Sequence, residues 1–226
     1  MTPPLAVRRL GTVSYADGLA LQGELVRARQ EGSIPDTLLL LQHPHVITLG
    51  SRSDPAHVLA GADERAGLGI ELFETGRGGD VTYHGPGQIV GYPILALEDG
   101  RRDLHRYLRD LEGSLIDALA RFGLAAERSE GMTGVWVPAG QAGRGSKGGK
   151  IAAIGVRVSS GWITSHGFAL NVAPDLAYFG TIVPCGIADR PITSLERELG
   201  REVPLAEVEA ALADALAARL GRELVA

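Results

Sequence analysis

The sequence predicts an α+β fold: a mixed, largely antiparallel sheet covered by helices. Three observations lead there. Strand-like runs recur along the chain, several of them separated by short Gly/Pro/Asn-type turns; three other segments carry apolar stripes at helical spacing; and the strict β-α alternation of a doubly wound sheet is absent. With 226 residues, no internal repeat and no long linker, the whole of 1–226 reads as a single domain with one sizeable core.

Residues 15–31, YADGLALQGELVRARQE, read as the first helix. The runs TLLLLQH, HVITLG, DVTYH and QIVGYPILAL follow as strands. The best helical pattern covers 103–122, where Asp103 can cap the first turn and Leu104, Tyr107, Leu111, Leu115, Leu119 and Phe122 share one face. GVWV and KIAAIGVRV are strands around a long hairpin loop, 138–149, and WITSHGFALNV is the last strand. A third helix opens at Pro204, a favoured first-turn residue, with Leu205, Val208, Leu212 and Leu216 on one side. These stripes are core rather than function.

Composition narrows the function. A net charge of −5 argues against a dedicated nucleic-acid binder, which wants a basic face. No segment approaches the ~20 apolar residues of a membrane span, and MTPPLAVRRLG lacks the long apolar run of a secretory signal. The single cysteine cannot form an internal disulfide, so a reducing cytoplasm is the expected location. Among 22 basic residues only two are lysines, Lys147 and Lys150, both in GRGSKGGKIAAIGVRV. An arginine keeps its proton at any accessible pH, whereas a lysine can be tuned into a base. Decoration of a glycine-rich turn explains the same two residues.

GRGSKG satisfies a dinucleotide-binding string, but a strand pattern follows it where a helix is required, and a P-loop fails because Ile151 follows Lys150. HPH, 43–45, puts two histidines on one side of a strand without a third ligand nearby, so no metal site is expected. TGRGGDVTYHGPGQIVGYP, 75–93, brackets Arg77, Thr82, Tyr83 and His84 with glycines that would let a ligand approach main-chain N–H groups. Two tight hairpin turns account for those glycines equally well.

Four motifs carry a resemblance. RGGDVTYHGPGQ (77–88), GKIAAIGVRV (149–158), SHGFALNV (165–172) and VPCGI (183–187), in this order and spacing, resemble the lipoyl(octanoyl) transferases of lipoic acid synthesis. The likeness spans roughly 5–220 and implies the fold of the catalytic domain of biotin and lipoate protein ligases. It implies transfer of an octanoyl group from acyl carrier protein to a specific lysine of lipoyl domains, those of 2-oxoacid dehydrogenases and the glycine-cleavage H protein, with no cofactor. By resemblance Cys185 is the acyl-carrying nucleophile and Lys150 its acid/base partner. Arg77, Gly78, Gly79, Asp80, Val81, Thr82, Tyr83 and His84, with Ala153, Ile154, Gly155, His166, Gly167, Phe168 and Ala169, then line the acyl pocket. One departure is the loop PAGQAGRGSKGG, longer than the family pattern and bearing Lys147; Lys150 is the better match because KIAAIG starts with it.

The chemistry agrees with these residue types. A carrier thioester is already activated, so passing its acyl group to a second thiol is close to isoenergetic and forming an amide runs downhill without ATP. A thiol of pKa about 8.5 is mostly protonated at neutral pH and needs an activator. A lysine can accept that proton or hold the thiolate, and can later take a proton from the incoming amine; an arginine cannot. Gly155 and Gly167 would permit close approach to an oxyanion, and His84, His166 and, less directly, His43 would position the acyl carbonyl or the HGPG loop; a satisfied core histidine is the alternative for each. Three other readings stay open: an ATP-dependent lipoate or biotin ligase, a non-enzymatic binding module, and a globular domain with a buried structural cysteine.

Overall fold

The computed structural model describes residues 2–140, 147–184 and 191–225. Cys185 lies outside the described residues, as does half of the loop 138–149. Strand β1 (Pro4–Thr12) leads into helix α1 (Tyr15–Gln30), followed by β2 (Asp36–Gln42), β3 (Val46–Leu49), α2 (Ala62–Gly67), β4 (Glu71–Glu74), β5 (Val81–His84) and β6 (Gln88–Ile94). Then come α3 (Leu104–Ala120), β7 (Glu127–Ser129), β8 (Met132–Val137), β9 (Gly149–Val158), β10 (Thr164–Asn171), α4 (Leu195–Leu199), α5 (Leu205–Leu220) and β11 (Glu223–Val225).

An eight-stranded sheet runs in the order β11-β1-β2-β6-β10-β9-β8-β7, parallel only where β1 meets β11 and β2. The expected mixed, largely antiparallel sheet is therefore what forms. A second sheet, β4-β3-β5, stands beside it, and the RGGD loop precedes its last strand.

The four leucines of β2 show how the layers are fixed. All are fully buried, and successive side chains point to opposite faces, so a continuous apolar run needs cover on both sides. Leu38 and Leu40 join Leu111, Leu115, Leu212 and Leu216 of α3 and α5, while Leu39 and Leu41 join Leu25 of α1. Asp103 caps α3 as expected, its carboxylate accepting from the N–H groups of His105 and Arg106. Pro204 proves to be the cap itself, α5 starting at Leu205 and ending at Gly221 in the left-handed conformation. Two residues leave the expected pattern. Leu104, at the first position of α3, is 43% exposed, and Glu112, inside the same helix, is only 1% exposed.

His43 and His45 correct the expectation for HPH. They lie in the connection between β2 and β3 and face different groups, His43 toward Tyr92 and His45 toward Tyr83. Among the described residues no helix is long and apolar enough to cross a membrane, and no group of three His, Cys, Asp or Glu could hold a metal ion.

Candidate active site

The motifs converge where β5, β9 and β10 meet the start of α1. Arg77, Gly79, Asp80, Val81, Thr82 and His84 form one wall of a cavity, and Ala153–Gly155 with His166–Ala169 the opposite one. The cavity leaves about 480 Å³ of empty space, its open mouth included. Two expected wall residues sit elsewhere. Gly78 lines an outer groove, with about 1220 Å³ of empty space counted in the same way, that also reaches Lys150. Tyr83 turns to the far side of β5, where it packs on Phe179 and shares a 2.7 Å hydrogen bond with His45. Strand alternation dictates this: Thr82 and His84 point one way and Tyr83 the other.

Tyr15 and Tyr92, which no motif had singled out, complete the cavity. Their neighbours form a neutral aromatic cluster. His43 donates Nδ1–H to the Val13 carbonyl at 2.7 Å, which leaves Nε2 to accept the Tyr92 hydroxyl at 2.7 Å. His84 donates Nδ1–H to Gln88 Oε1 at 2.7 Å. Burial holds His84 at about 3 and His166 at about 4, with the nearby Arg77 guanidinium pushing both further down. Burial likewise lowers His43. Arg77 supplies a fixed positive charge here: Nη2 donates to the Thr48 carbonyl at 2.6 Å and, with Nε, to Thr48 Oγ1. His166 has φ of +54° inside β10, a left-handed conformation uncommon for a non-glycine residue, and its N–H is held by Gln22 Oε1 at 2.7 Å.

The glycines of β9 and β10 are explained by the protein's own backbone. A Cβ at Gly167 would lie 2.1 Å from the Gly91 carbonyl oxygen, and one at Gly155 would lie 2.8 Å from that of Gly78. Both positions therefore serve close chain packing, and both also line the cavity.

Lys150 opens β9 and is 6% exposed. Nζ sits 5.3 Å from the centre of the Trp136 ring, a cation–π distance. Beneath it β8 carries Gly134 at φ +123°, where a Cβ would fall 2.7 Å from Lys150 Cε and 2.6 Å from the Ala152 carbonyl oxygen. The Gly134 N–H is taken by Glu112 Oε1 at 3.1 Å, while Glu112 Oε2 pairs with Arg109 and Arg128. Lys147, by contrast, is exposed and lines a separate hollow with Glu127 and Trp136.

The main chain on both sides of the cysteine-bearing segment is tied to this centre. Before it, Val183 N–H donates to the His57 carbonyl at 2.8 Å and Ile182 bridges Val58. After it, the Pro191 carbonyl accepts from Lys150 N–H at 2.9 Å, and Thr193 N–H donates to the Lys150 carbonyl at 3.0 Å. A small cavity between these anchors is lined by Lys150, Pro184, Gln88 and Asn171. From His84 the bonds run through Gln88 to Asn171 Oδ1 (2.9 Å) and from Asn171 to the Thr193 carbonyl (3.0 Å), so one buried network joins this cavity to the Lys150 main chain. Gln88 and Asn171 stand inside the quoted motifs, but their pairing depends on β6 lying beside β10.

The chain is similar to several known proteins. The family model of the lipoyl protein ligase A/B catalytic domain matches residues 14–217. An octanoyltransferase of Rubrobacter xylanophilus is 56% identical over 207 residues, 91% of this chain and 89% of that protein. In fold alone, the chain is similar to a solved archaeal lipoylation system, a bipartite lipoate protein ligase and its E2 lipoyl domain from Thermoplasma acidophilum (TM-score 0.71, 17% identity, 100% of this chain and 88% of the other). The biotin protein ligase of Aquifex aeolicus is a more distant likeness (TM-score 0.51, 14% identity, 97% and 70%).

Two outcomes follow from the geometry. Gly134→Ala forces both a strained φ, costing about 1–3 kcal/mol, and a displaced Lys150, so acyl transfer should fall on the order of tenfold or more; a normal rate would show that the position of the amine is not critical. Below pH 6.5 the unfolded chain takes up protons at His84 and His166 that the folded chain refuses. Their contribution to stability is complete above that pH and is lost as pH falls toward about 4 and then about 3. The thermal midpoint should therefore drop between pH 6.5 and 4, and drop less in His84→Gln; identical slopes would contradict the buried neutral imidazole.

Proposed function

Because this chain belongs to the octanoyltransferases of the lipoyl protein ligase A/B catalytic-domain family, we propose that it moves an octanoyl group from acyl carrier protein to a specific lysine of lipoyl domains. The acyl group travels as a thioester on Cys185, and no ATP is used. Acceptors of this kind are the lipoyl domains of 2-oxoacid dehydrogenases and the glycine-cleavage H protein, met in the cytoplasm.

One observation supports the reading above the others: buried Lys150 borders both the small cavity that Pro184, the residue before Cys185, also lines and the groove open to solvent. In the first half-reaction the Cys185 thiol gives its proton to a base, and the thiolate attacks the carrier thioester. The new C–S bond forms as the carrier's C–S bond breaks, and the carrier thiolate leaves. In the second, the amine of the acceptor lysine attacks the Cys185 thioester, the C–N bond forms, the C–S bond breaks, and Lys150 takes the amine's proton. The octanoyl tail occupies the cavity between β5 and β10, whose apolar wall of Val90, Ile154 and Phe168 stabilises it by about 0.8 kcal/mol per buried methylene. His84 and His166, held neutral, and Arg77 stand at its polar side, where the acyl carbonyl is placed.

The test is transfer from octanoyl-acyl carrier protein to an unmodified lipoyl domain, read by mass, with ATP present or omitted. Turnover should be indifferent to ATP, and Lys150→Arg should fold yet lose about a hundredfold or more in rate. A requirement for ATP would make the protein a ligase, and a near-normal Lys150→Arg would remove the proton-transfer role.

A further inference from the structure

His57 ends the short 3-10 turn Pro55–His57, beside the RGGD loop. Its Nδ1–H donates to Asp80 Oδ2 at 2.6 Å, and the other oxygen of that carboxylate accepts from the Asp54 N–H at 3.1 Å. The main-chain carbonyl of His57 accepts from Val183 N–H at 2.8 Å, two residues before Cys185 in the chain. Asp80 in turn lines both the acyl cavity and the groove that reaches Lys150. One imidazole thus joins a carboxylate at the meeting of two substrate spaces to the strand pairing that leads toward the cysteine.

A carboxylate at that place opposes the chemistry. Acyl transfer through a thiol passes through a thiolate and through oxyanionic intermediates, and a bare negative charge nearby disfavours each of them. The other charged groups on these walls are Arg77 in the cavity and Arg52 and Lys150 in the groove. Asp54, beside the pair, turns its own carboxylate to the Ala56 N–H.

We propose that His57 is a positioning residue for acyl transfer: by binding Asp80 it offsets the carboxylate at the cavity mouth and fixes that carboxylate relative to the backbone leading to Cys185. The role rests on Cys185 as the acylated residue. Because Cys185 is the only cysteine, alkylation by iodoacetamide reports on it alone and tests the charge relation without any acyl substrate.

Alkylation rate against pH, and single-turnover acylation by octanoyl-acyl carrier protein, would be measured for wild type, His57→Leu and His57→Leu/Asp80→Asn. His57→Leu should raise the alkylation midpoint by about one pH unit and slow acylation about tenfold at neutral pH. The double variant should recover the alkylation midpoint, since the exposed charge has gone. A tie that matters only for shape gives no such rescue, so a double variant with the single variant's midpoint, or an unmoved midpoint in folded His57→Leu, overturns the proposal. Should His57→Leu fail to fold, Asp80→Asn and His57→Asn, which keeps an N–H donor, carry the test; an upward midpoint in Asp80→Asn overturns it. If wild type takes no octanoyl adduct while alkylation responds to both residues as stated, the acyl-enzyme reading falls and the electrostatic role of His57 stands.

Discussion

Lys150 carries an amine to a place that water hardly reaches, and β9 can keep it there because its main chain is bonded on both sides, by β8 and by residues 191–193. A buried amine is tolerated only where its surroundings answer it. Here the Trp136 ring lies against Nζ, and Gly134 leaves the volume that the aliphatic stem fills. Gly134 keeps its unusual backbone because Glu112, buried inside α3, reaches its N–H. The helix layer and the site are thus one construction: packing α3 on the sheet is also what sets the floor under the lysine.

The acyl cavity shows a second division of labour. Its charge is fixed in Arg77, whose bonds to Thr48 anchor it to the small sheet, while its histidines stay neutral under burial and under that same charge. A neutral imidazole can orient a carbonyl without competing for the proton that the proposed mechanism passes between thiol and amine. The network through Gln88, Asn171 and Thr193 then fixes the distance between this neutral end and the lysine end. Rigid spacing of that kind is what the proposed two-step transfer requires, since in it both partners meet the same acyl carbon.

Much of this was legible in the chain. The apolar stripes of α3 and α5, the cap at Asp103 and the leucine run of β2 state their elements directly, because periodicity and burial are local properties. Strand β1 was missed because Arg8 and Arg9 interrupt its apolar residues, and its place between β2 and β11 is a matter of topology. The motifs gave nearly the whole cavity wall, yet Tyr83 was assigned there although strand alternation alone turns it away. Glu112 and Gln22 were invisible for a different reason. Each is a polar residue on a helix whose partner, Gly134 or His166, lies far along the chain, and only the folded arrangement brings the two together.

The central claim is that Cys185 carries the acyl group between two protein partners. It is tested most directly by incubating the protein with octanoyl-acyl carrier protein in the absence of acceptor, then mapping the adduct by mass, with Cys185→Ser as control. The account predicts one hydroxylamine-labile octanoyl group on the peptide containing Cys185 and none on the variant. Octanoyl transfer to a lipoyl domain by Cys185→Ser at the wild-type rate, with no adduct on either protein, would contradict it and mean direct attack of the acceptor lysine on the carrier thioester.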